Sequence, residues 1–152
     1  MTPTTFTHSL LIDAPRVRVW ECLTQREHMQ SWMGEPEMHL EIHPDWHVGG
    51  TIIIRGVHHV PFENRGTVLV FDPPCRLVYT QWSSLSQLPD AEAAYSRFEF
   101  TLKEENGATA LNFSASGFAT EAIYKHLQFY WTGALQSLKQ HIEGRSALRK
   151  SG

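Results

Sequence analysis

The sequence predicts an α+β domain in which a curved antiparallel sheet receives one long C-terminal helix. Three observations predict it. Between Thr120 and Gly144, residues Leu127, Trp131, Ala134, Leu135, Leu138 and Ile142 recur at helical spacing and form one broad apolar stripe. Ahead of them come short stretches rich in Ile, Val, Phe, Leu and Tyr, separated by Gly, Pro and Asn. The later stretches are joined by hairpin-length turns rather than crossover helices, which argues for antiparallel pairing. A sheet bent around the helix buries the stripe and leaves room for a hollow between the layers.

The elements follow in order. Phe6 to Ile12 reads as the first strand. Asp13 is placed to cap the next helix, with Pro15 in its first turn, where a missing N–H costs nothing. Val19, Trp20 and Leu23 give that helix a short apolar stripe. Thr24 and Glu27 have the spacing of a capping box, opening a second short helix with Met29, Trp32 and Met33. Gly34 and Pro36 stop it. Met38 to His43 reads as a strand, and Gly49-Gly50 turns the chain into a strand from Thr51 to Val57. Asn64-Arg65-Gly66 precedes a strand from Thr67 to Phe71, and Asp72-Pro73-Pro74 punctuates the chain before another from Arg76 to Trp82. The polar loop from Ser83 to Glu92 suits a flap over a groove.

The clearest hairpin comes last. Phe98, Phe100 and Leu102 alternate with Arg97, Glu99 and Thr101, and Leu111, Phe113 and Ala115 alternate with Asn112, Ser114 and Ser116. Glu105-Asn106-Gly107 between them tolerates positive φ. The predicted order is one strand, two short helices, about six strands and the long helix. At roughly 1.5 Å per residue, a helix of about 23 residues extends some 35 Å, enough to cross such a sheet.

The 152 residues suit one domain, with 145–152 as a flexible tail. A formal charge of -3, from 13 Lys plus Arg against 16 Asp plus Glu, gives no case for nucleic acid. Arg145, Arg149 and Lys150 read as a solubilising tail. Two cysteines are too few for a disulfide scaffold, so Cys22 and Cys75 read as reduced thiols, Cys22 packed in its helix, in a cytoplasmic protein. The opening residues show no basic region followed by an unbroken apolar run, so export is not expected, and no stretch approaches the roughly 20 apolar residues of a membrane span.

Several short runs carry a family resemblance. They are Val19-Trp20-Glu21-Cys22-Leu23-Thr24, Trp32-Met33-Gly34, Val48-Gly49-Gly50-Thr51, Gly66-Thr67-Val68, Pro73-Pro74-Cys75-Arg76-Leu77 and Trp131-Thr132-Gly133-Ala134-Leu135. In order and separation they resemble the activator-of-Hsp90-ATPase homologue (AHSA1-like) branch of the START/Bet v 1 (SRPBCC) superfamily. The resemblance implies a helix-grip fold, often enclosing an apolar cavity. Members of that superfamily include ligand carriers, hormone receptors, aromatic polyketide cyclases and co-chaperone domains, so the resemblance alone leaves the chemistry open. Trp131 departs from the family's commoner Gly-Trp order by placing the ring earlier, which bears on cavity volume.

The candidate ligand-binding residues are Trp32, Trp46, Tyr79, Trp82 and Trp131, with Phe129 and Tyr130 as further rings. Large rings with few torsions suit recognition of a small hydrophobic or aromatic ligand, and they fill cores for the same reason. A cyclase or dehydratase-like reaction in the same hollow would draw on His58, Tyr79 or Arg97, while Arg97 and Glu99 otherwise read as a solvent-facing pair. A co-chaperone role, implied by resemblance only, would use the outer face. A homodimer through the sheet edge or the polar loop stays open as well.

Nine histidines raise the question of metal. His39, Glu41 and His43 would share one face of a strand, but positions two apart on a strand are poorly set for one tetrahedral centre. His58 and His59 would point to opposite faces if extended. The sequence therefore leads us to expect no metal and no cofactor.

Overall fold

The computed structural model describes residues 5–151, with side chains through residue 144. Strand β1 (Thr5–Ile12) is followed by helices α1 (Arg16–Thr24) and α2 (Arg26–Trp32) and a 3₁₀ turn at Pro36–Met38. Strands β2 (Glu41–Pro44), β3 (Thr51–His58), β4 (Val60–Asp72), β5 (Arg76–Ser83), β6 (Ser96–Glu105) and β7 (Ala108–Ser116) then lead to helix α3 (Glu121–Ser151). The strands form one antiparallel sheet in the order β1-β7-β6-β5-β4-β3-β2. The first strand closes against the last, so the meander β2–β7 is completed by the chain's own beginning. The α+β helix-grip architecture expected from the sequence is the observed one.

The apolar stripe drives this arrangement. Leu127, Trp131, Ala134, Leu135, Leu138 and Ile142 of α3 are all buried. They share one core with Phe98, Phe100 and Leu102 of β6, Leu111, Phe113 and Ala115 of β7, and Val19, Trp20, Leu23, Met29 and Trp32 of α1 and α2. Burying each large side chain contributes about 1.5–3 kcal/mol. Thr120 starts α3, its Oγ1 accepting the Ile123 N–H at 3.1 Å. The β6–β7 turn has positive φ at Asn106 (53°) and Gly107 (83°), as the sequence requires of a tight hairpin.

Strand β4 carries two features that favour a bend in the sheet. This strand runs unbroken through Asn64-Arg65-Gly66, where the sequence had suggested a new strand start, and its register to β5 shifts between Val68 and Val70. A bulge of this kind kinks a strand and increases its twist. At Gly66 a Cβ would lie 1.6 Å from the Thr80 carbonyl oxygen, so glycine here permits the close approach of β5. A residue that looked like turn punctuation is in fact an inward close contact.

Several local expectations are corrected. Asp13 does not cap α1; the N-cap is Pro15 and makes no side-chain bond. The Asp13 N–H instead donates to Glu143 Oε2 of α3 at 2.7 Å. Thr24 ends α1 rather than opening α2, with its Oγ1 donating to the Trp20 carbonyl at 2.8 Å; Gln25 is the uncapped N-cap of α2. His39 sits in a left-handed conformation outside β2, so His39, Glu41 and His43 do not share a strand face. His58 and His59 form the β3–β4 hairpin tip with ring centroids 4.8 Å apart, because His59 adopts positive φ rather than an extended backbone. The loop after β5 folds back on Trp82 and Arg65, through Trp82 Nε1–H to the Leu88 carbonyl (3.1 Å) and an Arg65–Asp90 ion pair (3.3 Å). The backbone of α3 continues through the segment expected as a tail, to Ser151, while the side chains of Arg145, Arg149 and Lys150 lie outside the described residues. Among the described residues, no helix is long and apolar enough to cross a membrane.

One polar clasp ties α3 to the first turn of the chain. Lys139 Nζ donates to the Leu11 carbonyl (2.5 Å) and to Glu143 Oε2 (2.7 Å), which also accepts from Asp13 N. Burial alone would raise the Glu143 pKa, but the Lys139 and Asp13 donors outweigh it and hold the carboxyl below its ordinary value. A depressed carboxylate contributes stability that is present above the unfolded-state pKa and lost as pH falls through the folded one. Glu143→Gln is therefore expected to cost about 1–2 kcal/mol at neutral pH and to flatten the loss of stability below about pH 5. Urea titrations of both proteins across that range check this, and parallel pH profiles would refute it.

Candidate functional site

The concave face of the sheet carries Phe98 and Phe100 from β6, Phe113 from β7 and Tyr79 from β5, because alternate residues of each strand point inward. Helix α3 places Trp131 against them. Its ring centroid lies 4.6 Å from Phe113, 5.1 Å from Phe98, 5.6 Å from Phe100 and 6.3 Å from Trp32. Tyr79 packs edge-on against Phe98 and continues the cluster to Trp46, which stacks on Phe71. Trp32, Trp46, Tyr79 and Trp131 thus belong to one connected cluster of rings.

Trp82 does not. It pairs across the sheet with Arg65, whose guanidinium carbon lies 5.1 Å above its ring, on the face away from α3. The alternation of β5 places Tyr79 inward and Trp82 outward, a parity visible in the spacing of the two residues. Phe129 is 84% exposed and takes no part in the interior.

Three ring donors fasten this interior to the backbone around it. Trp32 Nε1 donates to the Cys22 carbonyl (2.8 Å), Trp46 Nε1 to the Thr24 carbonyl (2.6 Å), and the Tyr130 hydroxyl to the Met33 carbonyl (2.6 Å). The Tyr130 bond latches α3 to the end of α2. The fourth donor differs: Trp131 Nε1 is buried and has no hydrogen-bond partner. Such a group costs about 1–3 kcal/mol relative to a satisfied one.

Burial pushes the Tyr79 phenol far above its ordinary pKa, with Tyr130 adding to the shift, and burial does the same for Tyr130. Both remain protonated donors at neutral pH. His58 lies at the exposed β3–β4 tip, and Arg97 lies on the outer face, where it and Arg76 bind Glu99 at 3.3 and 2.9 Å. Hydrogen bonding by Arg76 is the main cause of the lowered Glu99 pKa. The three candidate catalytic residues therefore occupy three separate regions. Phe98, Phe100 and Phe113, which ring chemistry alone did not single out, meet Trp131 because their alternation along β6 and β7 turns them inward.

Two shallow hollows lie at the surface. One, on the outer face, is lined by Thr7, Ser9, Glu99, Thr101, Asn112 and Ser114; the other borders Ala91, Tyr95 and Phe118. Neither lies between the sheet and α3.

A sheet gripping a C-terminal helix over an aromatic interior defines a helix-grip protein, a fold consistent with binding of small or hydrophobic molecules. Residues 13–143 match the family described as Activator of Hsp90 ATPase homolog 1-like protein, and the chain belongs to that family. No functionally curated protein matches its sequence. Among solved structures, protein CV1439 from Chromobacterium violaceum is 20% identical with a TM-score of 0.78, covering 93% of this chain and 99% of that one. ChR145 from Cytophaga hutchinsonii is 25% identical, with a TM-score of 0.78 and coverage of 97% and 99%. CalU16 from Micromonospora echinospora is 22% identical, with a TM-score of 0.70 and coverage of 94% and 78%.

The Tyr130 latch gives a direct test of how α2 is held. Tyr130→Phe keeps the ring but leaves the Met33 carbonyl without its donor, with an expected loss of about 1–3 kcal/mol in urea unfolding. An unchanged midpoint would show that the bond holds nothing.

Proposed function

We propose that this protein binds a small hydrophobic or aromatic molecule carrying a hydrogen-bond acceptor, between the sheet and α3, with Trp131 as its anchor. The unpartnered Trp131 Nε1 donor among the rings of Phe98, Phe100, Phe113 and Trp32 carries the reading. An acceptor reaching it would recover the cost of the unsatisfied group, while the surrounding rings would supply apolar and edge-to-face contacts. The rings are closely packed, so the ligand enters by local opening rather than by filling a preformed hollow. Helix α2, latched to α3 by Tyr130, is the element that moves, with α1 before it.

A docking role for the outer face has less support. Its centre carries the polar side chains Thr7, Ser9, Thr101, Asn112 and Ser114 beside the Arg76–Glu99–Arg97 group, a composition that suits water better than apolar docking. A cyclase reading has less again, since His58, Tyr79 and Arg97 do not face one another.

Native mass spectrometry of gently purified protein, repeated after lipid stripping, tests the proposal. A bound small molecule that is lost on stripping and rebinds with saturation is expected. Trp131→Phe keeps an apolar ring and removes the donor, so affinity for an acceptor-bearing ligand is expected to fall about tenfold, equivalent to about 1.4 kcal/mol. Its stability should change by less than the roughly 3–5 kcal/mol expected of Trp131→Ala. Absence of any copurifying molecule and of saturable rebinding would overturn the proposal.

A further inference from the structure

Away from the aromatic interior, three helices bring a second group of side chains together. Cys22 belongs to α1, His28 to α2 and His141 to α3. One donor atom from each residue lies within 4.8 Å of the other two. His28 Nδ1 and His141 Nε2 are 2.9 Å apart, and their rings meet edge to face at 68°. We propose that Cys22, His28 and His141 form a mononuclear site for a borderline-soft divalent transition metal, zinc foremost, with a fourth position open to solvent.

The chemistry of the donors is the first support. A thiolate with two imidazoles suits zinc and disfavours magnesium or calcium, which take oxygen ligands. The geometry is the second. Zinc–sulfur and zinc–nitrogen bonds of about 2.3 and 2.0–2.1 Å in a tetrahedron place ligand atoms roughly 3.3–3.6 Å apart. The two nitrogens need to separate by only a few tenths of an ångström, and no ligand pair begins more than 4.8 Å apart. A closure of this size is within the reach of side-chain rotation about fixed backbones. One ring of the hydrogen-bonded pair donates to the other, and metal binding would displace that proton along with the thiol proton.

The surroundings supply the third. Cys22 is fully buried, whereas His28 and His141 are partly exposed, so the site is closed on the core side and accessible from solvent. Three protein ligands and a free position are the arrangement in which zinc holds an exchangeable water. The backbone is fixed around the ligands: Trp32 Nε1 binds the Cys22 carbonyl, and the Gln25 and Met29 N–H groups bond back to Glu21 and Gln25 across the α1–α2 break. Cys22 and His28 are therefore held on adjoining helices, and His141 arrives from a helix 113 residues further along the chain. A packed cysteine beside two hydrogen-bonded histidines is the simpler reading, and the two readings differ in what the thiol does when metal is offered.

Chelator-stripped full-length protein titrated with Co²⁺ separates them. The metal site requires a sulfur-to-cobalt charge-transfer band and tetrahedral visible bands that saturate at one ion per chain and bleach when Zn²⁺ is added. Cys22→Ser should abolish the charge-transfer band. His28→Gln and His141→Gln should each weaken binding by more than the roughly 10–100-fold that loss of an outer-shell partner costs. A His58→Ala/His59→Ala double variant, which removes the exposed histidine pair, should bind as the parent does. No charge-transfer band in the parent protein, its survival in Cys22→Ser, or its loss in the His58/His59 variant would overturn the site. Should Cys22→Ser fail to fold, the two glutamine variants at partly exposed positions decide the matter, since unchanged affinity in both would refute the assignment.

Discussion

The fold rests on the burial of one face of α3 against a sheet that must bend to receive it. Leu127, Trp131, Ala134, Leu135, Leu138 and Ile142 lose their water only if the strands curve around them. The curvature has identifiable sources in Gly66 and in the register shift between Val68 and Val70. Strand β1 matters for the same reason. By pairing with β7 it covers what would otherwise be an open edge beside the hairpin that holds Phe98, Phe100 and Phe113. The Lys139–Glu143–Asp13 clasp then ties the far part of the helix to the end of that strand, so the polar contacts reinforce what the apolar stripe already requires.

The parts of this structure that could be read from sequence are those with a long period. The stripe of α3 and the alternation of β6 and β7 repeat often enough that one assignment buries every apolar residue, and both were legible. Capping was not. Asp13 and Thr24 have the right chemistry for caps, but Asp13 lies where its backbone meets Glu143, and Thr24 finds the Trp20 carbonyl one turn back. Local side-chain preference lost to a tertiary partner in one case and to a nearer backbone oxygen in the other. Asn64-Arg65-Gly66 misled because glycine marks turns and close approaches alike, and only the Thr80 carbonyl distinguishes them.

The placement of the candidate rings was legible only in part. Trp32, Trp46, Tyr79 and Trp131 were singled out by ring chemistry; periodicity accounts for the inward faces of Tyr79 and Trp131, whereas Trp46 sits in the loop after β2 and is held by the Thr24 carbonyl. Trp82 was grouped with them on chemistry, although an odd spacing from Tyr79 sends it to the other face. The Cys22–His28–His141 group lay beyond a sequence reading for a different reason. His141 comes near Cys22 only because α3 recrosses the α1–α2 pair, and no local spacing encodes that crossing.

The two groups of residues are not independent pieces of the molecule. Trp32 packs its ring 6.3 Å from Trp131 and donates its indole N–H to the carbonyl of Cys22. It is therefore a wall of the aromatic interior and a brace for the helix that carries the thiol. Any opening of α2 that admits a molecule beside Trp131 carries Trp32 with it, and must either take α1 along or break the Trp32–Cys22 bond. An ion joining α1, α2 and α3 would oppose that motion, because it would bind the closed arrangement better than the open one. Linkage then requires the converse: a molecule that holds the helices apart weakens the ion by the same factor. The single tryptophan shared by both places is the physical reason for expecting that coupling, with no longer chain of contacts required.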